Sequence, residues 1–83
     1  MTPTSDHRYI EFISNLRGIR RRLGISQKDL SLRLGKPQSF ISKIETGERR
    51  VDLIETLSIC EVLGVTLDAV LPVEFRFILK FDK

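Results

Sequence analysis

Chemistry that needs paired sulfur or clustered imidazoles is closed to this chain, which holds one cysteine, Cys60, and one histidine, His7. A lone cysteine cannot close an internal disulfide, and a lone histidine cannot assemble a metal site within one chain. No apolar run approaches the ~20 residues needed to cross a bilayer. The N-terminal stretch MTPTSDHRYIEF also lacks the basic region and apolar block of a secretory signal. A cytoplasmic protein without membrane association is therefore expected. Enzymatic signatures are equally scarce: there is no paired histidine and cysteine, no phosphate-binding glycine loop and no carboxylate pair that defines a pocket. No catalysis, cofactor or metal is expected.

What remains is a chain of 83 residues, 41% hydrophobic, enough for one small domain. A domain of this size buries only roughly 60–65% of its unfolded surface, so its core is marginal alone. The net charge of +3 conceals an asymmetry: from Arg17 to Arg50 there are ten basic and three acidic residues, while the remainder has four basic and eight acidic ones. A basic block such as Arg20, Arg21 and Arg22 is usually a solvated helix face. Here the basic half coincides with the most informative part of the sequence, which points to nucleic acid and to salt-sensitive binding through counterion release.

Residues 1–8 are read as an N-terminal arm, residues 9–72 as the domain proper and residues 73–83 as a C-terminal strand. Asp6 is placed to cap a first helix from about His7 to Leu23, on which Tyr9, Phe12, Ile13, Leu16, Ile19 and Leu23 recur at helical spacing, with Gly24 ending it. Ser26 is a good cap for a second helix, with Asp29 near a capping-box position and Leu30 and Leu34 forming an apolar stripe. Gly35 suits the left-handed exit from that helix, and Pro37 suits the first turn of the next. The third helix supplies Phe40, Ile41 and Ile44 inward and can project Gln38, Ser39, Ser42 and Lys43 outward, until Gly47 stops it. A fourth helix, capped by Asp52 and stopped by Gly64, is expected to turn Leu53, Leu57 and Cys60 inward, with Ile54 and Leu63 as further core candidates. Cys60 is expected to pack, not to react. Thr66 should cap a short fifth helix ended by Pro72.

Two short helices joined by a tight turn can present the second one to a major groove, where amides, hydroxyls and basic groups match base edges and phosphates. Leu30, Leu34, Gly35, Ile41 and Ile44 fall at the apolar and turn positions of the phage-repressor helix-turn-helix family, the Cro/cI or Xre type, which this chain resembles from about Leu16 to Leu71. Leu63 to Val65 also match the way that family closes its fourth helix. Ser31 departs from the usual alanine at the tight helix contact, and Lys36 from the frequent apolar residue after the turn. The resemblance implies an all-α fold, a five-helix lambda-repressor-like DNA-binding domain, to which the alternation at the C-terminus is expected to add a β-strand extension.

Site residues follow from chemistry and resemblance together. Gln38, at the start of the third helix, carries an amide that can bond adenine N6 and N7 at once, and the family reads bases at this position. Ser39 and Lys43 fall on further base-contacting positions of the family, with Ser42 beside them. Gln27 matches the position whose amide grips a phosphate. Thr46, the backbone N–H of Phe40, and Arg49 or Arg50 are further DNA-backbone candidates, the arginines also being able to enter a neighbouring minor groove. Arg20 and Glu45 match the family's ion pair between the first and third helices.

At the C-terminus Val73, Phe75, Phe77, Leu79 and Phe81 alternate with mostly polar residues, which is strand spacing. A lone strand needs a partner, and the same strand of a second copy, paired antiparallel, is the simplest one. A tail folded on its own helices, or a helix supported by Val73, Phe77 and Phe81, stays open as the alternative. The expected function is a homodimeric regulator, a repressor, binding a two-fold-symmetric operator on double-stranded DNA. An antitoxin, or another adaptor that binds a toxin or co-regulator and controls its own operon, is the second reading.

Overall fold

A computed structural model of the chain describes residues 6–76. Among these residues five α-helices follow one another: α1 His7–Arg22, α2 Gln27–Arg33, α3 Phe40–Glu45, α4 Leu53–Leu63 and α5 Val73–Arg76, with a 3-10 turn at Leu67–Ala69.

The boundaries arise from local chemistry. Asp6 caps α1 by accepting the Arg8 N–H at 2.9 Å, and three arginines, Arg20, Arg21 and Arg22, close its last turn against the negative end of the helix dipole. Ser26 caps α2 through the Asp29 N–H at 3.0 Å. Asp52 and Glu55 form a full capping box on α4, with reciprocal bonds of 2.7 and 3.1 Å. Gly35 leaves α2 at φ +72°, a left-handed conformation that side chains with a Cβ resist.

The core is one cluster in which Ile13, Leu16 and Ile19 of α1 meet Leu30 of α2, Phe40, Ile41 and Ile44 of α3, Ile59, Cys60 and Leu63 of α4, and Val70. Burial of each large aliphatic side chain contributes about 1.5–3 kcal/mol relative to exposure. Burial also pushes the Cys60 thiol upward, away from the thiolate form.

Four expectations are corrected. First, there is no β-strand among the described residues: Val73–Arg76 is a helical turn, entered through Pro72, whose carbonyl accepts the Phe75 N–H at 3.0 Å. The turn sends Val73 and Phe75 to different sides: Val73 is 60% exposed, while Phe75 finds cover on its own chain, where the Arg8 guanidinium lies 5.2 Å from its ring centre. Glu11 accepts the Val73 N–H at 3.4 Å, and Arg76 Nε donates to the Leu71 carbonyl at 3.3 Å. Phe77, Leu79 and Phe81 lie outside the described residues. Second, the short helix expected after Thr66 is a single 3-10 turn, and the Thr66 side chain makes no capping bond.

Third, α4 is rotated from its expected setting. Thr56, Ile59, Cys60 and Leu63 face the core, while Leu53, Ile54 and Leu57 are 61%, 69% and 42% exposed. A helix that is apolar on most sides does not declare its inner face by period alone. Fourth, α3 begins at Phe40, so that Pro37, Gln38 and Ser39 form the turn before it, closed by the Phe40 N–H donating to the Pro37 carbonyl at 2.9 Å.

Candidate nucleic-acid interface

The angle between α2 and α3 is held by a buried serine. Ser31 donates its hydroxyl to the Gln27 carbonyl at 2.8 Å and accepts the Ile41 N–H at 3.0 Å. That N–H is among the first in α3, where no preceding residue of the same helix can satisfy it. Ser39, the residue in the capping position, makes no side-chain capping bond. Ser31 therefore caps α3 from the neighbouring helix, and its small side chain lets the two backbones approach closely. In the sequence Ser31 stands out only as a departure from the family's alanine, and that departure is the available signal.

The other end of α3 is held by charge. Glu45 Oε2 accepts Arg20 Nε at 2.7 Å, and Glu45 Oε1 accepts Arg20 Nη2 at 3.0 Å and Gln27 Nε2 at 2.8 Å. Arg20 Nη1 donates to the Ile25 carbonyl at 2.8 Å. The two charged side chains are only 8% and 6% exposed, so both depend on these partners: removal of one member of such a pair costs about 3–5 kcal/mol. One carboxylate thus joins the end of α1, the loop after it, the first residue of α2 and the last of α3. The bond from Gln27 to Glu45 was not visible in the sequence, because residues 18 apart meet only once the helices are packed.

Between these anchors lies the outward face. Gln38 is exposed on the turn ahead of α3, Ser39 is partly covered beside it, and Lys43 and Thr46 are exposed further along, with Ser42 half-buried. The Thr46 hydroxyl bonds back to the Lys43 carbonyl at 3.2 Å. Phe40 offers no free backbone donor, since its N–H closes the preceding turn, and its ring is buried in the core. Lys36 and Arg49 place their charges 5.3 and 4.9 Å from that ring.

The two loop arginines are arranged differently from one another. Arg49 holds Glu55 in a two-pronged ion pair at 2.9 and 2.8 Å and also donates to the Arg50 carbonyl at 2.8 Å. The guanidinium holds the Glu55 carboxyl below its ordinary range, and the Asp52 N–H adds to this. Arg50 lies over the Tyr9 ring at 4.1 Å, while the Tyr9 hydroxyl accepts the Val51 N–H at 3.2 Å. The fold brings Gln27, Gln38, Ser39, Ser42, Lys43 and Thr46 onto or beside the α2–α3 unit. Arg49 is directed to the start of α4 and Arg50 to α1.

Among the described residues no helix is long and apolar enough to cross a membrane, and no group of three or more His, Cys, Asp or Glu side chains is placed to hold a metal.

Comparison with known proteins is consistent across sequence and structure. A helix-turn-helix family model matches residues 16–70. An uncharacterized HTH-type transcriptional regulator from Sinorhizobium fredii is 32% identical over 53 residues, spanning 64% of this chain and 69% of that protein. The structure of an XRE-family like protein from Pseudomonas syringae pv. tomato is similar with a TM-score of 0.73 at 40% identity, covering 88% of this chain and 90% of the other. A hypothetical transcription factor from Neisseria superposes with a TM-score of 0.71 at 26% identity, over 90% of this chain and 86% of that one.

Proposed function

This chain belongs to the Xre-type helix-turn-helix family of DNA-binding transcription regulators, and from that premise we propose that it is a homodimeric repressor acting on a two-fold-symmetric operator. The observation that carries the reading is α3 itself, anchored at both ends by Ser31 and Glu45 while Lys43 and, ahead of it, Gln38 stay exposed. Gln38 reads a base pair, Lys43 donates to guanine or to a phosphate, and Ser39 and Ser42 contribute beside them. Gln27 holds a phosphate and fixes register, with Thr46 and the loop arginines as further backbone contacts.

Dimerisation follows from the size of the unit, since one short helix reads too few base pairs to find a site alone, and two copies multiply their affinities. The exposed Leu53, Ile54 and Leu57 of α4 form the proposed contact, with the exposed Val73 as a further candidate. Selection of bound duplexes from a random pool tests the whole reading. The expected motif has two inverted half-sites about one DNA turn, ~34 Å, apart; a single asymmetric motif would rule out the symmetric dimer.

The antitoxin reading draws on a different feature. A groove of about 430 Å³ runs between α1, the start of α4 and α5, lined by Tyr9, Phe12, Val51, Leu53, Leu71 and Phe75 among others, and it would receive an apolar segment of a partner. Co-purification with the product of an adjacent small gene favours that reading; a chain that purifies alone and represses its operon without a partner removes it.

A further inference from the structure

Glutamine at the start of a helix is a poor phosphate grip when its amide is free to turn. One face of the amide donates and the other accepts, so half of its orientations present an oxygen to an anion. In this chain the amide is not free, because Gln27 Nε2 donates to Glu45 Oε1 at 2.8 Å. Turning it over would set Gln27 Oε1 against a carboxylate oxygen, two acceptors facing each other. The remaining proton on Nε2 is left for a phosphate.

We infer that Glu45 is a positioning residue for phosphate recognition, acting through the Gln27 amide; this rests on Gln27 contacting the DNA backbone. A carboxylate so near a phosphate would repel it unless neutralised, and Arg20 supplies that neutralisation through its bonds of 2.7 and 3.0 Å to the same group. Glu45 is the last residue of α3 and Gln27 the first of α2. The phosphate contact is thereby tied to the helix that reads bases, and a shift of α3 in the groove shifts the grip on the backbone with it.

The test uses the duplex recovered by selection, with each phosphate replaced in turn by a neutral methylphosphonate. The wild-type chain should lose about tenfold in affinity at one phosphate, the worth of one hydrogen bond to a charged group, and Gln27→Ala should abolish the sensitivity there alone. Arg20→Met with Glu45→Leu replaces the ion pair by apolar volume, a change that is often neutral or stabilising for a buried pair, and it should lose most of the sensitivity at that phosphate while keeping it at the others. Arg20→Met with Glu45→Gln returns an acceptor to Gln27 and should restore it. Full sensitivity in the Met/Leu variant overturns the inference and leaves Glu45 as a packing residue only. If the Met/Leu variant does not fold, side-chain amide NMR of the native chain decides: one Gln27 amide proton must be protected from exchange relative to those of Gln38, and equal exchange overturns the inference. Failure of the wild-type chain to prefer any duplex is a separate outcome, which removes the DNA reading on which the inference stands.

Discussion

Ser31→Ala takes a single oxygen out of the contact between α2 and α3, and its cost can be worked bond by bond. The bond donated to the Gln27 carbonyl, 2.8 Å, is expendable, because in a helix that carbonyl also accepts the backbone N–H four residues on. The bond accepted from the Ile41 N–H, 3.0 Å, is not, because the donor is buried and has no second partner within its helix. An orphaned buried N–H costs about 1–3 kcal/mol. Alanine recovers roughly 0.5 kcal/mol through its better helix propensity, leaving a net loss of about 0.5–2.5 kcal/mol. For a domain this small, each kcal/mol lowers Tm by about 4–8 °C. Urea unfolding followed by far-UV circular dichroism measures the loss, with Ser58→Ala as the matched control. Ser58 makes only the back-bond to its own helix, to the Ile54 carbonyl at 3.1 Å, so its replacement should change stability by less than about 0.5 kcal/mol. A Ser31→Ala chain as stable as Ser58→Ala would refute the view that Ser31 caps α3.

Three further outcomes are expected. Gln38→Ala should weaken binding to the selected site by about 1–3 kcal/mol and relax preference at one base pair; a uniform loss on every sequence would make Gln38 a phosphate contact instead. Leu57→Lys should shift sedimentation from dimer to monomer while the far-UV circular dichroism spectrum stays helical, and an unchanged dimer would move the interface away from α4. Arg49 depresses the Glu55 carboxyl, so the stability from this pair is fully present above the ordinary glutamate value of 4.5 and is lost as pH falls through the lower folded value. Arg49→Gln should therefore flatten that acid limb of the stability curve, and an identical limb in both chains would show that the pair contributes nothing.

Much of the helical scaffold was legible from short-range chemistry. Asp6, Ser26 and Asp52 cap the helices they were expected to cap, with bonds of 2.9, 3.0 and 2.7 Å, because a cap is decided within three or four residues of sequence. Ile13, Leu16 and Ile19 declared the inner face of α1 because polar residues separate them. Leu53 and Leu57 misled for the opposite reason: α4 carries apolar residues around most of its circumference, and only packing chooses which side is covered. The C-terminal alternation misled because a short apolar alternation does not by itself require a strand: a helical turn against Arg8 and Glu11 covers Phe75 without a second chain and leaves Val73 exposed. At the site, residue types and spacing pointed to α2 and α3. The directions of individual side chains did not follow from spacing, since the partners of Gln27, Arg49 and Ser31 are 18, 6 and 10 residues away.

Anchored recognition by α3 is most directly tested by equilibrium competition. The purified chain is bound to its selected duplex at a fixed modest salt concentration and displaced either by the same duplex or by one with only the base pairs facing Gln38 and Lys43 exchanged. The specific duplex should displace it at concentrations at least about tenfold lower, the discrimination of a single well-placed base contact. Equal displacement by both duplexes would contradict base reading by α3 and the turn ahead of it.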